Sequence, residues 1–465
     1  MKKHLCALLA ALLTLSFTGC TQDAQDVPTD PTASTAPPAA AAPDPYIRLQ
    51  RHVTYHDAQG ISHILIDGTV LPTTLENVTS VRQSLDGSRA ALSTRDGDAW
   101  LLTGDQLTLI AQDVTAPALS VSGDGLAYFT PSGSGYALMR YDCATGAAAT
   151  VTTDTVRALV LSPDGGHIAY TTTDGQLFLD DTALSTAPDT LLGMDDSGNI
   201  YSAIQDPDGY RLTYHTASGT LDLGAMDTPA AYFDRDHRQL LFYRDGCTFI
   251  TDQGGTPAQI CPGTATALLP PGTAPSSNGT VTTLPVTDLY SLIYTSTQDG
   301  TSKLWRPRQG GQTTTLSSNA TFPTLDATGA YVYYLQDGSK LCSLRLSDGS
   351  TISYATGVQS YAVTSDRKAL YLTSGTKLYR MDGIRGGEPV EVFGDTIDLL
   401  HLALTADDTL YFRSHDALYS CTGDGKATQQ LPRCDQLTTT ANGILYAHVS
   451  TTIYTHGPTG LSPIL

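Results

Sequence analysis

From about residue 81 to the C-terminus, short apolar runs alternate with turn clusters on a period of about 36 to 40 residues. Each period reads alike: an apolar stretch, an Asp/Asn/Gly turn, a short run ending in Tyr or Leu, a second turn, and an apolar-alternating run ending in Asp. Alternation with a period of two between turn residues predicts strands. No stretch carries the long period of 3.6 that predicts an amphipathic helix. A repeat built only of strand and turn signals predicts four-stranded units that cannot bury their apolar faces alone. Measured between corresponding positions, modules begin near residues 81, 117, 157, 192, 229, 285, 322, 360, 399 and 437, and a partial module, Tyr46 to Thr79, one strand short, precedes them. The pattern predicts an all-β propeller of about eight to ten four-stranded repeats, as one large ring in preference to two smaller ones.

The clearest copy is Leu161-Ser162-Pro163-Asp164-Gly165-Gly166-His167-Ile168-Ala169-Tyr170, followed by a second turn and Gln176-Leu177-Phe178-Leu179-Asp180. In its Ser-Pro-Asp-Gly turn, Pro fixes φ, Asp bonds to nearby backbone and Gly takes positive φ. Degenerate copies are expected at Ser84-Leu85-Asp86-Gly87, Ser122-Gly123-Asp124-Gly125, Asp195-Asp196-Ser197-Gly198, Asp326-Ala327-Thr328-Gly329, Ser365-Asp366-Arg367-Lys368 and Thr405-Ala406-Asp407-Asp408. At Ser162 to Tyr170, and at Leu378-Tyr379-Arg380-Met381-Asp382 and Leu418-Tyr419-Ser420, the chain resembles TolB-type repeats and the low-density-lipoprotein-receptor-type propellers of many bacterial surface lipoproteins. The resemblance covers residues 46–465. It is a repeat signature, so it implies the fold and little about a ligand.

The N-terminus changes the picture of where the repeats work. Met1-Lys2-Lys3-His4 is basic, Leu5 to Phe17 is an apolar core too short for a span of ~20 residues, and Phe17-Thr18-Gly19-Cys20 ends it. Residues 1–20 thus resemble a bacterial lipoprotein signal, with Cys20 as the lipid attachment site and the extracytoplasmic face of the cell membrane as the destination. Phe17 stands where Leu is usual, which leaves a simpler signal-peptidase site open. Residues 21–45 are Thr, Pro, Ala and Asp with almost no bulky apolar side chain, the composition of a disordered tether. At ~3.3 Å per residue such a tether reaches at most about 80 Å. Residues 46–465 remain for the propeller.

A net charge of -20 argues against nucleic acid, whose phosphates demand a basic face. Gly 42, Pro 25 and Tyr 24 against Trp 2, with 15% charged residues, suit an exported all-β chain. Of eight cysteines, Cys6 and Cys20 fall in the export segment. Cys247 and Cys261 flank the turn Gln253-Gly254-Gly255-Thr256 almost symmetrically, which makes them a candidate disulfide across two strands. The alternative for them, and for Cys421 and Cys434, is free thiols packed as small apolar groups.

No catalytic or metal constellation is read from the chain, and no cofactor is predicted. There is no Gly-x-Ser-x-Gly elbow, His-Glu-x-x-His or Cys-x-x-Cys, and His52 and His56, four apart on a strand, would stand about 13 Å apart. Asp206-Pro207-Asp208-Gly209 lacks the rest of a calcium loop and reads as a β-turn. Carboxylates meeting across a ring from separate blades leave no spacing to find. Trp305, Arg306 and Arg308 combine a flat apolar plate with two guanidiniums and are the ligand-binding candidates; the alternative is a Trp filling the space between blades. Residues 262–284 lengthen one module and are expected as an irregular insertion that covers a face of the ring or marks a boundary. The function expected is a non-catalytic binding or scaffold module for a protein, peptide or cell-wall glycan; the alternative is a surface glycan-processing enzyme with carboxylates from separate blades.

Overall fold

A computed structural model of the protein describes residues 52–464 apart from 57–60, 67–68, 72–74, 77, 187, 279–280, 299–300, 309–312, 399–401, 424, 441–442, 451 and 458–459. The expected signal, Cys20 and tether lie outside the described residues. Within them the chain is an all-β propeller of eleven sheets. Ten sheets are four-stranded, nine of them with strands in chain order from one edge to the other. The sixth, opening with Ala231–Phe233, has six strands. The ten modules and the partial one thus appear in order. The partial module has four strands rather than three: Ile61–Ile66 pairs with His52–His56 on one edge and with both Thr69–Val70 and Leu75–Glu76 on the other.

Each sheet covers its neighbour. Ile64 of the first sheet shares a core with Leu92 and Leu102 of the second, Leu241 and Ile250 of the sixth with Leu292 and Tyr294 of the seventh, and so along the series. In the eleventh sheet Tyr446 and Ile453 take up Val70 of the first, so the series closes on itself. Second strands place tyrosine between sheets, which explains why this residue outnumbers tryptophan: the ring fills the gap, and at Tyr201, Tyr333 and Tyr411 the phenol finds a polar partner on the next sheet. Tyr201 donates to the Arg238 carbonyl and accepts from the Gly254 amide, both at 3.0 Å. Tyr333 donates to the Gly383 carbonyl at 3.1 Å, and Tyr411 meets His456 Nδ1 at 2.8 Å.

Between first and second strands one turn recurs. Its first residue is buried, and its side-chain oxygen accepts the amide that opens the second strand: Ser162 from His167 at 2.9 Å, Asp234 from Gln239 at 2.7 Å, Asp326 from Tyr331 at 2.8 Å. Its fourth residue donates back to the first carbonyl and has positive φ, as at Gly165 (72°) and Gly198 (79°). Two turns sit in a different register from that expected. The third sheet uses Ser120 to Gly123, two residues earlier than Ser122 to Gly125, because Gly123 donates to the Ser120 carbonyl. The ninth uses Thr364 to Arg367, one residue earlier, for the same reason. Asp206 pairs with Gly209 across a two-residue hairpin, the turn expected there.

The segment 262–284 is more regular than an irregular insertion. Ala265–Leu268 is the first strand of the seventh sheet, paired with Ile293–Gln298. Ser276–Asn278 and Val281–Thr283 form a hairpin that joins the sixth sheet, Val281–Thr283 lying parallel to Ala231–Phe233.

Adjacent turns also touch. Leu85 donates to the Val121 carbonyl and Ser122 to that of Pro163, both at 2.8 Å, and a Cβ on Gly165 would stand 2.5 Å from the Gly125 backbone. Gly165→Ala is therefore expected to lower stability by roughly 2–5 kcal/mol, from the left-handed backbone and the overpacking together. Urea unfolding checks this, and a midpoint equal to wild type contradicts the contact.

Candidate functional site

Two cavities lie where the first strands of the second to sixth sheets come together. The hairpin walls the inner one. Arg82, on Val78–Gln83, donates Nη1 to the Ser277 carbonyl at 3.2 Å, while Val281–Thr283 is paired to the sixth sheet. The hairpin thus reaches from the second sheet to the sixth, across the first strands of the sheets between. The inner cavity, about 200 Å³, is lined by main chain and small or aliphatic side chains of Thr115–Leu119, Val156–Leu161 and Thr190–Met194 and their ends, by the hairpin, and by His237.

The outer cavity, about 190 Å³, is made by the recurrent turns themselves, and Val121 lines both. Its rim carries Asp86, Asp124, Asp164, Asp196 and Asp236 with one cation, Arg235. Asp124 is paired with Arg89, and Asp236 lies 3.3 Å from Arg235 Nε. Asp164 and Asp196 come from neighbouring sheets, and the Asp164 amide donates to Asp196 Oδ1 at 2.9 Å. Their environments separate them. Desolvation first, and then the negative charge of Asp164, push the Asp196 carboxyl up to about 6, against the hydrogen bond from the Asp164 amide. Desolvation acts on Asp164 too, but hydrogen bonds from the Ser162 hydroxyl (2.6 Å) and the Gly166 amide (2.7 Å) outweigh it and hold this carboxyl below its ordinary range. Beneath the rim, desolvation pushes the buried Asp234 up to about 7.

His237 occupies the glycine slot of the sixth sheet's turn, with φ of 54°. It is 7% exposed, stacks on Phe233 with centroids 4.6 Å apart, and sets Nε2 2.8 Å from Thr283 Oγ1 of the hairpin. Burial lowers its pKa to about 4, so the ring is neutral at pH 7. Nothing in the single sequence singled out Arg235, Asp236 and His237. The usable signal was the alignment of Asp234-Arg235-Asp236-His237 with the turn, where Asp234 fills the buried first position and His237 the fourth.

The sequence candidates lie elsewhere. Trp305, on Thr301–Pro307 of the seventh sheet, packs against the core shared with the sixth and donates Nε1 to Ser296 Oγ at 2.8 Å. Arg306 reaches the Leu346 carbonyl of the eighth sheet at 2.7 Å, and Arg308 is exposed beyond the strand. Neighbours along a strand face opposite ways, so the three do not converge on one face. The Cys247–Cys261 disulfide is corrected by the register: Cys247 stands opposite Pro262 and Thr248 opposite Cys261, one residue out of step, and both thiols are free. Cys421 and Cys434 are buried free thiols. Among the described residues no three His, Cys, Asp or Glu side chains are grouped to hold a metal ion.

No protein-family model matches the chain, and no curated protein sequence does. Solved structures resemble it at low identity. A crystal structure of the eukaryotic initiation factor is 9% identical with a TM-score of 0.40, covering 75% of this chain and 97% of its own. Oligogalacturonate lyase in complex with manganese is 14% identical at 0.29, covering 74% and 96%. The RRP9 WD40 repeats are 12% identical at 0.31, covering 61% and 92%. At these values the likenesses say nothing of activity.

Because Asp196 has its folded pKa raised, the folded state binds the extra proton between about pH 4 and 6, and stability from this group falls as pH rises through that window. Asp196→Asn keeps an oxygen for the Asp164 amide and removes one charge. It is expected to raise the melting temperature at pH 8 and leave it nearly unchanged at pH 4; thermal melts at both pH values check this, and an equal shift at both contradicts the coupling.

Proposed function

We propose that the protein is an extracytoplasmic binding or scaffold module, anchored through lipid on Cys20, whose propeller presents the hairpin-walled channel and its acidic rim to a protein, peptide or cell-wall glycan. The observation that carries the reading is the composition of that rim: its residues are turn carboxylates, one arginine and small or aliphatic side chains, with no Trp or Tyr of the kind that lines a sugar-cleaving cleft. Rigid turns held by buried Ser, Thr and Asp oxygens give such a rim a fixed shape, which lowers the ordering cost of binding. The acidic rim suits a ligand rich in hydrogen-bond donors or positive charge.

One observation favours the second reading, a glycan-processing enzyme. Asp164 and Asp196, from separate sheets, form a carboxylate pair with pKa values driven apart, which is how an acid and a base are made from like groups. Residues 46–465 immobilised as bait, with a glycan array and a polysaccharide-turnover assay on the same preparation, separate the two. Saturable binding of one ligand class without turnover is expected. Turnover that disappears in both Asp164→Asn and Asp196→Asn overturns the binding reading. The anchor is tested apart: Cys20→Ser is expected to move the full-length protein from the membrane to the soluble fraction, and unchanged partitioning with no lipid on Cys20 by mass spectrometry contradicts it.

A further inference from the structure

We propose that the inner cavity takes a short, uncharged, extended peptide segment, which pairs with the channel-facing edge of a first strand as the chain's own Val281–Thr283 does. This deepens the binding reading above and rests on it.

The protein itself demonstrates the pairing. Val281, Thr282 and Thr283 lie in register with Ala231, Tyr232 and Phe233 on the edge that the sixth sheet turns to the channel. Thr115–Leu119, Val156–Leu161 and Thr190–Met194 are likewise edge strands, and among the described residues no further strand pairs with them. A strand edge presents backbone donors and acceptors at regular spacing, and its natural complement is another extended backbone.

The remaining walls fit the same occupant. His237 lines the same cavity, its ring held by Thr283 through Nε2 and by the Met194 backbone. Gly193 packs against the imidazole and the ring it stacks on: a Cβ there would lie 2.8 Å from the Phe233 ring and 3.1 Å from His237 Nδ1. A neutral imidazole in a wall lined by no Asp, Glu, Lys or Arg suits an uncharged backbone rather than an ion. No aromatic ring of Trp, Tyr or Phe lines the cavity, which removes the stacking surface a sugar uses. Without a ligand, a polar space of this volume holds water, at about 30 Å³ per molecule.

The probe is trialanine, N-acetylated and C-amidated, titrated into residues 46–465 by calorimetry. Saturable binding is expected, together with slowed hydrogen–deuterium exchange in 156–161 or 190–194 on the wild-type protein. Gly193→Ala displaces His237 in the cavity wall and Val281→Phe fills the cavity from the hairpin, and each is expected to weaken binding at least tenfold. No saturable binding to wild type, no exchange protection in either strand, or undiminished binding in either folded variant overturns the inference. Should the glycan array or bait identify a partner that wild type binds while trialanine does not bind, this inference falls and the binding-module reading stands.

Discussion

A sheet of four short strands has two apolar faces, and among the described residues no α-helix covers either, so every sheet depends on the sheets beside it. The dependence explains the chemistry of the second strands. A buried tyrosine gives a large apolar body and a hydroxyl, and in two cases the hydroxyl reaches backbone of the next sheet: the Arg238 carbonyl and Gly254 amide for Tyr201, the Gly383 carbonyl for Tyr333. Phenylalanine at Tyr201 would fill the same gap and strand the Gly254 amide, whereas the Arg238 and Gly383 carbonyls would keep the Gln253 amide and the Tyr354 hydroxyl. The first sheet, with two short strands sharing one edge of Ile61–Ile66, still serves because Val70 meets the last sheet's Tyr446 and Ile453.

The recurrent turn applies the same economy at the end of the sheets that frames the rim. Its buried first oxygen fixes the entry to the second strand, and its fourth residue must adopt positive φ. Glycine does so without steric cost. Where another residue stands in the slot, the left-handed backbone costs about 1–2 kcal/mol and the side chain has work across a sheet boundary. Arg367 donates to Tyr333 of the preceding sheet at 3.0 Å and lies over the Tyr331 ring. Asp408 accepts from the Ser365 amide at 2.6 Å and hydroxyl at 2.7 Å. His237 reaches the hairpin through Thr283. Departures from the Ser-Pro-Asp-Gly pattern therefore mark cross-sheet contacts, and the one at His237 falls in the wall of a cavity.

The repeat made the fold legible, because a two-residue alternation and a turn are local properties and recur. The module starts near 157, 192 and 360 fall within two residues of Val156, Thr190 and Ser360. Register inside a turn was less legible: Ser122-Gly123-Asp124-Gly125 looks better than Ser120-Val121-Ser122-Gly123, yet only Ser120 points into the interior and can accept the Gly125 amide. The cavities were not legible at all. The parallel pairing of Val281–Thr283 with Ala231–Phe233 joins segments 50 residues apart by backbone alone, and backbone pairing carries no side-chain signature. Trp305 drew notice as a rare residue, but rarity is a property of composition, whereas its indole is committed to Ser296 and the core between two sheets.

Closure by sheets also decides where charge collects. Each turn contributes its acid at a position set by local geometry, Asp164 as the third residue of one and Asp196 as the second of the next. Neither sequence neighbourhood foresees the other, since they stand 32 positions apart on neighbouring sheets. Brought together, one carboxylate takes the local hydroxyl and amide, and the other is left to meet the first one's charge, so a single repeated turn yields two unlike acids. The hairpin behind them keeps the first strands of these sheets in a walled space rather than open to bulk water, and in such surroundings a neutral imidazole and a raised carboxyl persist side by side. Asymmetry in an otherwise repetitive ring is therefore greatest where one inserted hairpin crosses it, beside the turns that carry the acid pair, Asp234 and His237.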